Sequence, residues 1–304
     1  MISTFLLAIP CKLFAQDPAL PPTNLGLANV YDGIAGKPGF VYVNYVQIYN
    51  TTKLFGPTGS QIQSDLKVNS LLSMNQLIYL TPVKLLGGNL GFTVLMPIVK
   101  ISSTNLTAPA PGVNPALLGD MVLGAAVQWS DRKLFGKPFS HRMEVDVNLP
   151  TGAYKDIYLI NPSSRMYSYG LYHAFTWILD DKISVSARNQ FNYNGRILNQ
   201  NQRVGAFYNG NYSLDYSFLK RFKIEAAVYY LTQFNEDQVD GDGNFYAKNY
   251  GLQSTKERIV GLGGGLAYFA PNGVLIEAKL FFETAARNHS QGNRPTLRLA
   301  IPLQ

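Results

Sequence analysis

Three histidines (His141, His173 and His289) and one cysteine (Cys11) are the side chains this sequence offers for nucleophilic or metal chemistry. A hydrolase needs a serine beside a histidine and a third group that orients the ring. Ser140-His141 and His289-Ser290 are neighbours in sequence, but adjacent side chains of an extended chain leave on opposite faces. His173 sits among aromatics, flanked by Tyr172 and followed by Phe175. No catalytic residue is assigned. Asp240-Gly241-Asp242-Gly243-Asn244 resembles the opening of a calcium loop, but the positions for the turn glycine and the closing glutamate hold Phe245 and Gly251. An exposed Asp-Gly turn accounts for it. One cysteine excludes a disulfide framework or a cysteine-based zinc site, so neither metal nor cofactor is expected.

The charged residues say more. Arg142, Glu144, Asp146, Arg188, Asp215, Lys223, Glu225, Glu277, Lys279 and Arg298 each fall on one face of an otherwise apolar segment. Lining a channel, they would set its field and selectivity. They could equally pair with one another and fill a narrow lumen. Both signs occur, so single-sign selectivity is not expected. The basic residues are scattered along segments and turns, against a net charge of +7, and form no nucleic-acid footprint. Anionic lipid headgroups explain the excess better.

These charges are carried by elements of period two. The 304 residues are only 15% charged, 46% hydrophobic and 12% aromatic, which excludes disorder. No apolar run approaches the ~18 residues of a spanning helix. Alternation recurs instead. Ala206, Tyr208, Gly210, Tyr212 and Leu214 oppose Asn209, Asn211, Ser213 and Asp215. Met143, Val145 and Val147 oppose Arg142, Glu144 and Asp146, while Ile276, Ala278 and Leu280 oppose Glu277 and Lys279. Weaker segments bring the expected total to twelve strands of about ten residues, the length of a tilted transmembrane strand.

Their connections are expected to alternate. Long joins fall at Asn50–Asp65, Lys100–Asp120, Pro150–Arg165, Gly195–Arg203, Asn235–Glu257 and Ala285–Arg294. Short ones fall at Thr81–Asn89, Ser130–Ser140, Ile178–Lys182, Leu219–Arg221 and Ala270–Gly273. Long external loops and short periplasmic turns are the pattern of an outer-membrane barrel. A Lys or Arg facing mid-bilayer costs about 2–4 kcal/mol, which explains one-faced charge. Tyr42, Tyr49, Trp129, Tyr167, Trp177 and Tyr193 gather near strand ends as interfacial girdles do, and Pro97 and Pro150 are placed at strand ends. The expected fold is all-β: a closed antiparallel transmembrane β-barrel of about 12 strands over residues 39–304. Residues 1–15 read as a cleaved signal peptide, with Ala15 at the cleavage site. Residues 16–38, rich in Pro and Gly, read as an irregular periplasmic lead-in that could fold into the lumen as a plug.

Leu149-Pro150-Thr151-Gly152, Tyr154 and Asn161-Pro162 lead into the aromatic segment Tyr167 to Trp177. Ile183-Ser184-Val185-Ser186-Ala187-Arg188 then ends in Tyr193-Asn194. From about Gly119 onward this order resembles the phenol-degradation meta-pathway outer-membrane proteins, relatives of the FadL-type channels for hydrophobic compounds. The resemblance implies a bacterial outer-membrane channel, not an enzyme, that passively admits small hydrophobic or aromatic solutes. Its partners would be outer-membrane lipids, the solute and the barrel-assembly machinery. Outer-membrane barrels usually end in an aromatic residue read by the assembly machinery, whereas this sequence ends Ile301-Pro302-Leu303-Gln304. A general or structural barrel is the alternative, and a barrel hydrolase the more distant one.

Overall fold

The computed structural model describes residues 23–27 and 29–303; the expected signal peptide lies outside them. Twelve long strands follow one another: β1 (Gly39–Phe55), β2 (Lys67–Leu85), β3 (Gly88–Thr104), β4 (Met121–Leu134), β5 (Lys137–Leu149), β6 (Met166–Ile178), β7 (Ile183–Ile197), β8 (Phe207–Leu219), β9 (Phe222–Gln233), β10 (Arg258–Phe269), β11 (Leu275–Arg287) and β12 (His289–Leu303). Each pairs antiparallel with its neighbours, and β12 returns to β1 from Phe40↔Leu303 to Phe55↔His289. Closure leaves the sheet no free edge, the condition a spanning sheet must meet because lipid offers no hydrogen bonds. The described residues form a closed antiparallel β-barrel of twelve long strands.

Alternation decides the faces. In β6, Ser168, Gly170, Tyr172, Ala174 and Thr176 are buried inward, while Tyr167, Tyr169 and Leu171 are exposed on the outside. In β11, Glu277, Lys279 and Phe281 point inward, and Ile276, Leu280 and Phe282 outward. The strands run to between 12 and 19 residues, longer than the ten expected, because several stay paired into the connections as ribbons, as β2 and β3 do from Lys67↔Thr104 to Leu85↔Gly88.

One such ribbon corrects the expected long join at Ala285–Arg294. There β11 and β12 are separated by Asn288 alone, whose φ of 44° turns the chain. The stretch Asn288-His289-Ser290-Gln291 lacks an apolar face and so reads as a loop. It extends because its backbone pairs with Lys53, Leu54 and Phe55 of β1. Pro97 is likewise inside β3 rather than at its end. The β3–β4 ladder stops at Leu95↔Val122, so the donor that Pro97 lacks faces a gap in the pairing. Loop residues fill that gap, with Val99 N bonded to Leu117 O and Gly119 N to Pro97 O. Tyr49 is also corrected: it is buried inside the barrel, not placed in an outer girdle.

The short turns are tight. Leu86-Gly87 and Phe135-Gly136 join their strands with all four residues at positive φ, so each glycine sits where a side chain would be strained. At the other end, the loops after β3 and β5 are clamped together. Asp120, fully buried, accepts hydrogen bonds from Gly152 N (3.0 Å), Ser164 N (2.8 Å) and Ser164 Oγ (2.8 Å). A Cβ on Gly152 would stand 2.6 Å from the Gly119 carbonyl carbon, so the Pro-Thr-Gly sequence serves close approach of these two loops.

Candidate functional site

The lumen is occupied by the chain's own lead-in. Residues 24–27 and 29–33 cross it inside the wall, and Leu25, Leu27 and Val30 are buried there. Gln47 donates to Leu25 O, Gly26 N to Asn211 Oδ1, Tyr31 N to Ser186 Oγ, and Gly33 N to Thr176 Oγ1. Gln128 donates to Gly33 O at 2.9 Å. Irregular backbone has no ladder to satisfy its polar groups, so inward Asn, Gln, Ser and Thr side chains do it. A Cβ on Gly33 would fall 2.2 Å from the β6 backbone, which fixes how closely the segment lies against the wall.

The ten charged candidates separate around this segment. Arg188 grips Asp32 of the lead-in with a two-pronged guanidinium, Nε at 2.7 Å and Nη2 at 2.8 Å. Arg142 Nη2 stands 3.8 Å from the same carboxylate, and its Nε lies 3.2 Å from Glu144. Tyr172 lies under both guanidinium groups and hydrogen-bonds Glu144. On the opposite wall Glu277 pairs with Lys279 (3.2 Å) and Arg298 (2.8 Å). Lys279 Nζ donates to Leu27 O and Asn29 Oδ1, and Arg298 to Val30 O. Lys223 and Asp215 meet through Ser184 Oγ, at 3.1 and 3.2 Å. Glu225 is buried opposite Gly265, and Asp146 is approached by Gln190 across the space that Gly170 leaves free.

Several lumen residues escape a search for charge on strands. Asp32 lies in the lead-in, where no period places it. Arg294 and Glu283, bonded at 2.8 Å and joined by Tyr49 and Tyr229, fall at the edge of the expected long join. The period of two through Glu277 and Lys279 already places Glu283 on their face, so its inward position is legible in the sequence although it is not among the ten candidates.

The lumen is two-sided in chemistry. Around β5, β7, β11 and β12 it is charged. On β1 to β3 the inward apolar side chains Val41, Val43, Tyr45, Leu72, Met74, Ile78 and Leu95 pack about Leu27, interrupted by the polar Gln47, Gln76 and Thr93. On the outside, a groove of about 360 Å³ lies where the β7–β8 ladder stops at Asn192↔Phe207, lined by Tyr169, Leu171, Phe191, Tyr193 and Phe234.

The Ser–His neighbours do not form a nucleophile and base. Ser290 Oγ bonds Tyr49, while the His289 ring meets the Ser290 carbonyl and lies 3.8 Å from Glu257. His141 and His173 face the outside of the wall, 3.3 Å apart. Asp242 of the Asp-Gly turn is held by Lys248 and Asn244 N, both at 2.8 Å.

Residues 51–299 match the family model described as "Putative MetA-pathway of phenol degradation". The structure is similar to an outer membrane channel from Pseudomonas putida F1, at 16% identity and a TM-score of 0.73 over 90% of this chain and 98% of that one. It is also similar to the transport unit of the autotransporter AIDA-I from Escherichia coli, at 9% identity and a TM-score of 0.50 over 88% and 91% of the two chains. No protein of curated function matches the sequence.

Proposed function

The chain belongs to the family of the MetA pathway of phenol degradation, and on that premise we propose that it passively admits small hydrophobic or aromatic compounds across the outer membrane. The observation that carries this reading is the apolar inner wall of β1 to β3. A barrel that conducts hydrophilic solutes has a polar interior along its strands. Here Val43, Leu72, Met74 and Leu95 face inward beside the lead-in, where burying apolar surface of a solute gains about 25 cal/mol per Å². The charged wall opposite anchors the lead-in rather than lining an open aqueous path, and of the ten charged candidates Arg142, Arg188, Lys279 and Arg298 act in this reading as its moorings. Assembly by the outer-membrane barrel machinery belongs to the same proposal.

The test is uptake by liposomes holding the refolded protein, comparing a small aromatic alcohol with a sugar of equal size. The aromatic is expected to enter several-fold faster. Replacing Met74→Asp, which puts a charge on the apolar wall, is expected to remove that advantage while the barrel stays heat-modifiable on a gel. Equal rates for the two solutes in the unmodified protein would leave only a general pore.

A further inference from the structure

We propose that the outer wall at the short-turn end of β4 to β6 is a binding site for an anionic phospholipid of the periplasmic leaflet. Cross-strand register puts a set of unusual side chains on this bilayer-facing surface: Trp129 opposite His141, His141 opposite Phe175, and Phe139 opposite Trp177. The rings pack together, Trp129 stacked on His141 at 4.7 Å and Phe139 within 5.6 Å of Phe175. Imidazoles are costly against hydrocarbon unless something polar meets them. His141 and His173 satisfy only one nitrogen each through their mutual contact at 3.3 Å. The Trp177 indole N–H is also buried without a hydrogen-bond acceptor among the described residues.

Positive charge is brought to the same face. The ladder between β4 and β5 slips between Trp129 and Arg132, and this bulge pairs Arg132 with Phe139. Without the slip, Arg132 would follow Gln128 and Ser130 onto the inner face; the bulge re-aims it outward. Lys133 and Lys137 flank the turn, both exposed, with Asp131 as the acidic neighbour on this turn. At the turn tip Phe135 is 85% exposed and leans toward Trp177 at 6.0 Å. The result is a set of donors and cations directly below an aromatic patch that touches acyl chains. A phosphodiester headgroup with its chains above meets both requirements; a neutral lipid meets only the second.

The chain has two tryptophans, Trp129 and Trp177, and both belong to this site, so its intrinsic fluorescence reports on it. The protein, refolded in phosphatidylcholine vesicles, is titrated with brominated phosphatidylglycerol or, separately, brominated phosphatidylcholine at equal mole fraction. Quenching by the anionic lipid is expected at a relative affinity of about fivefold or more, the scale set by one basic residue at an anionic surface. The variant Arg132→Gln/Lys133→Gln/Lys137→Gln, checked for heat-modifiability, is expected to bring the two curves together. The variant Lys182→Gln/Lys220→Gln/Arg221→Gln, on other short turns, is expected to leave the preference intact. Coincident curves in the unmodified protein overturn the site. So does loss of preference in both variants alike, which would mean diffuse attraction to a basic rim.

Discussion

Asp32 is the residue on which the lead-in's position most depends. Its carboxylate is shared by Arg188 and Arg142 inside the barrel, away from bulk water. Removing one partner of such a group leaves buried charge uncompensated, at a cost of about 3–5 kcal/mol. Asp32→Asn keeps the shape but loses the charge, so two guanidinium groups would face each other across the lumen. Faster amide hydrogen exchange over residues 24–33 is the expected result, together with a larger single-channel conductance. Unchanged exchange would assign the anchoring to the backbone contacts of Lys279 and Arg298 instead. Arg142, Arg188 and Arg298 were visible in the sequence as inward charges, because a strand's period declares its face. Asp32 was not, because an irregular segment declares none.

At the scale of elements, loops are held by buried carboxyl groups. Asp120→Ala removes the acceptor of three hydrogen bonds that join the loops after β3 and β5. Cleavage by external protease between residues 105 and 165 is expected to rise at least tenfold, with the barrel still heat-modifiable. The long loop after β9 carries a pH response. Burial pushes the Asp237 carboxyl up to about 6 from 3.8. Burial, with Asp237 beside it, raises Glu257 as well. Between about pH 4 and 6 the packed loop therefore holds protons that the unpacked chain releases, so its stability falls as pH rises through that window. Glu236 opposes this; burial would raise it, but hydrogen bonds from Thr255 and Ser254 leave it lowered. The two raised groups outweigh it because they are the more deeply buried. Hydrogen exchange over residues 233–258, corrected for the intrinsic pH dependence of exchange, is expected to be slower at pH 4.5 than at pH 7. Asp237→Asn is expected to flatten the difference. Loop lengths were legible before β11, but the β11–β12 hairpin was not, since its pairing partner is the far end of β1.

For the whole molecule, closure and content are separate matters. Closure is expected to show as a folded band that resists SDS until boiled; Glu277→Gln, which leaves Lys279 and Arg298 without their shared carboxylate, is expected to lower the temperature of that conversion by several degrees. The sequence by itself determined that the chain forms about twelve strands, which face of the clearly alternating ones meets lipid, and that a closed sheet results. Those properties follow from local period and from the cost of charge in hydrocarbon, and each residue reports its own share. Only the tertiary structure decided what fills the barrel. Whether Leu27, Asp32 and Gly33 lie inside depends on partners between 95 and 252 residues distant in sequence, such as Gln128, Arg188 and Lys279. Contacts of that range leave no periodic trace. They exist because a lumen lined by unpaired polar groups on one side and bare apolar ones on the other is satisfied best by a strand-free segment of the same chain.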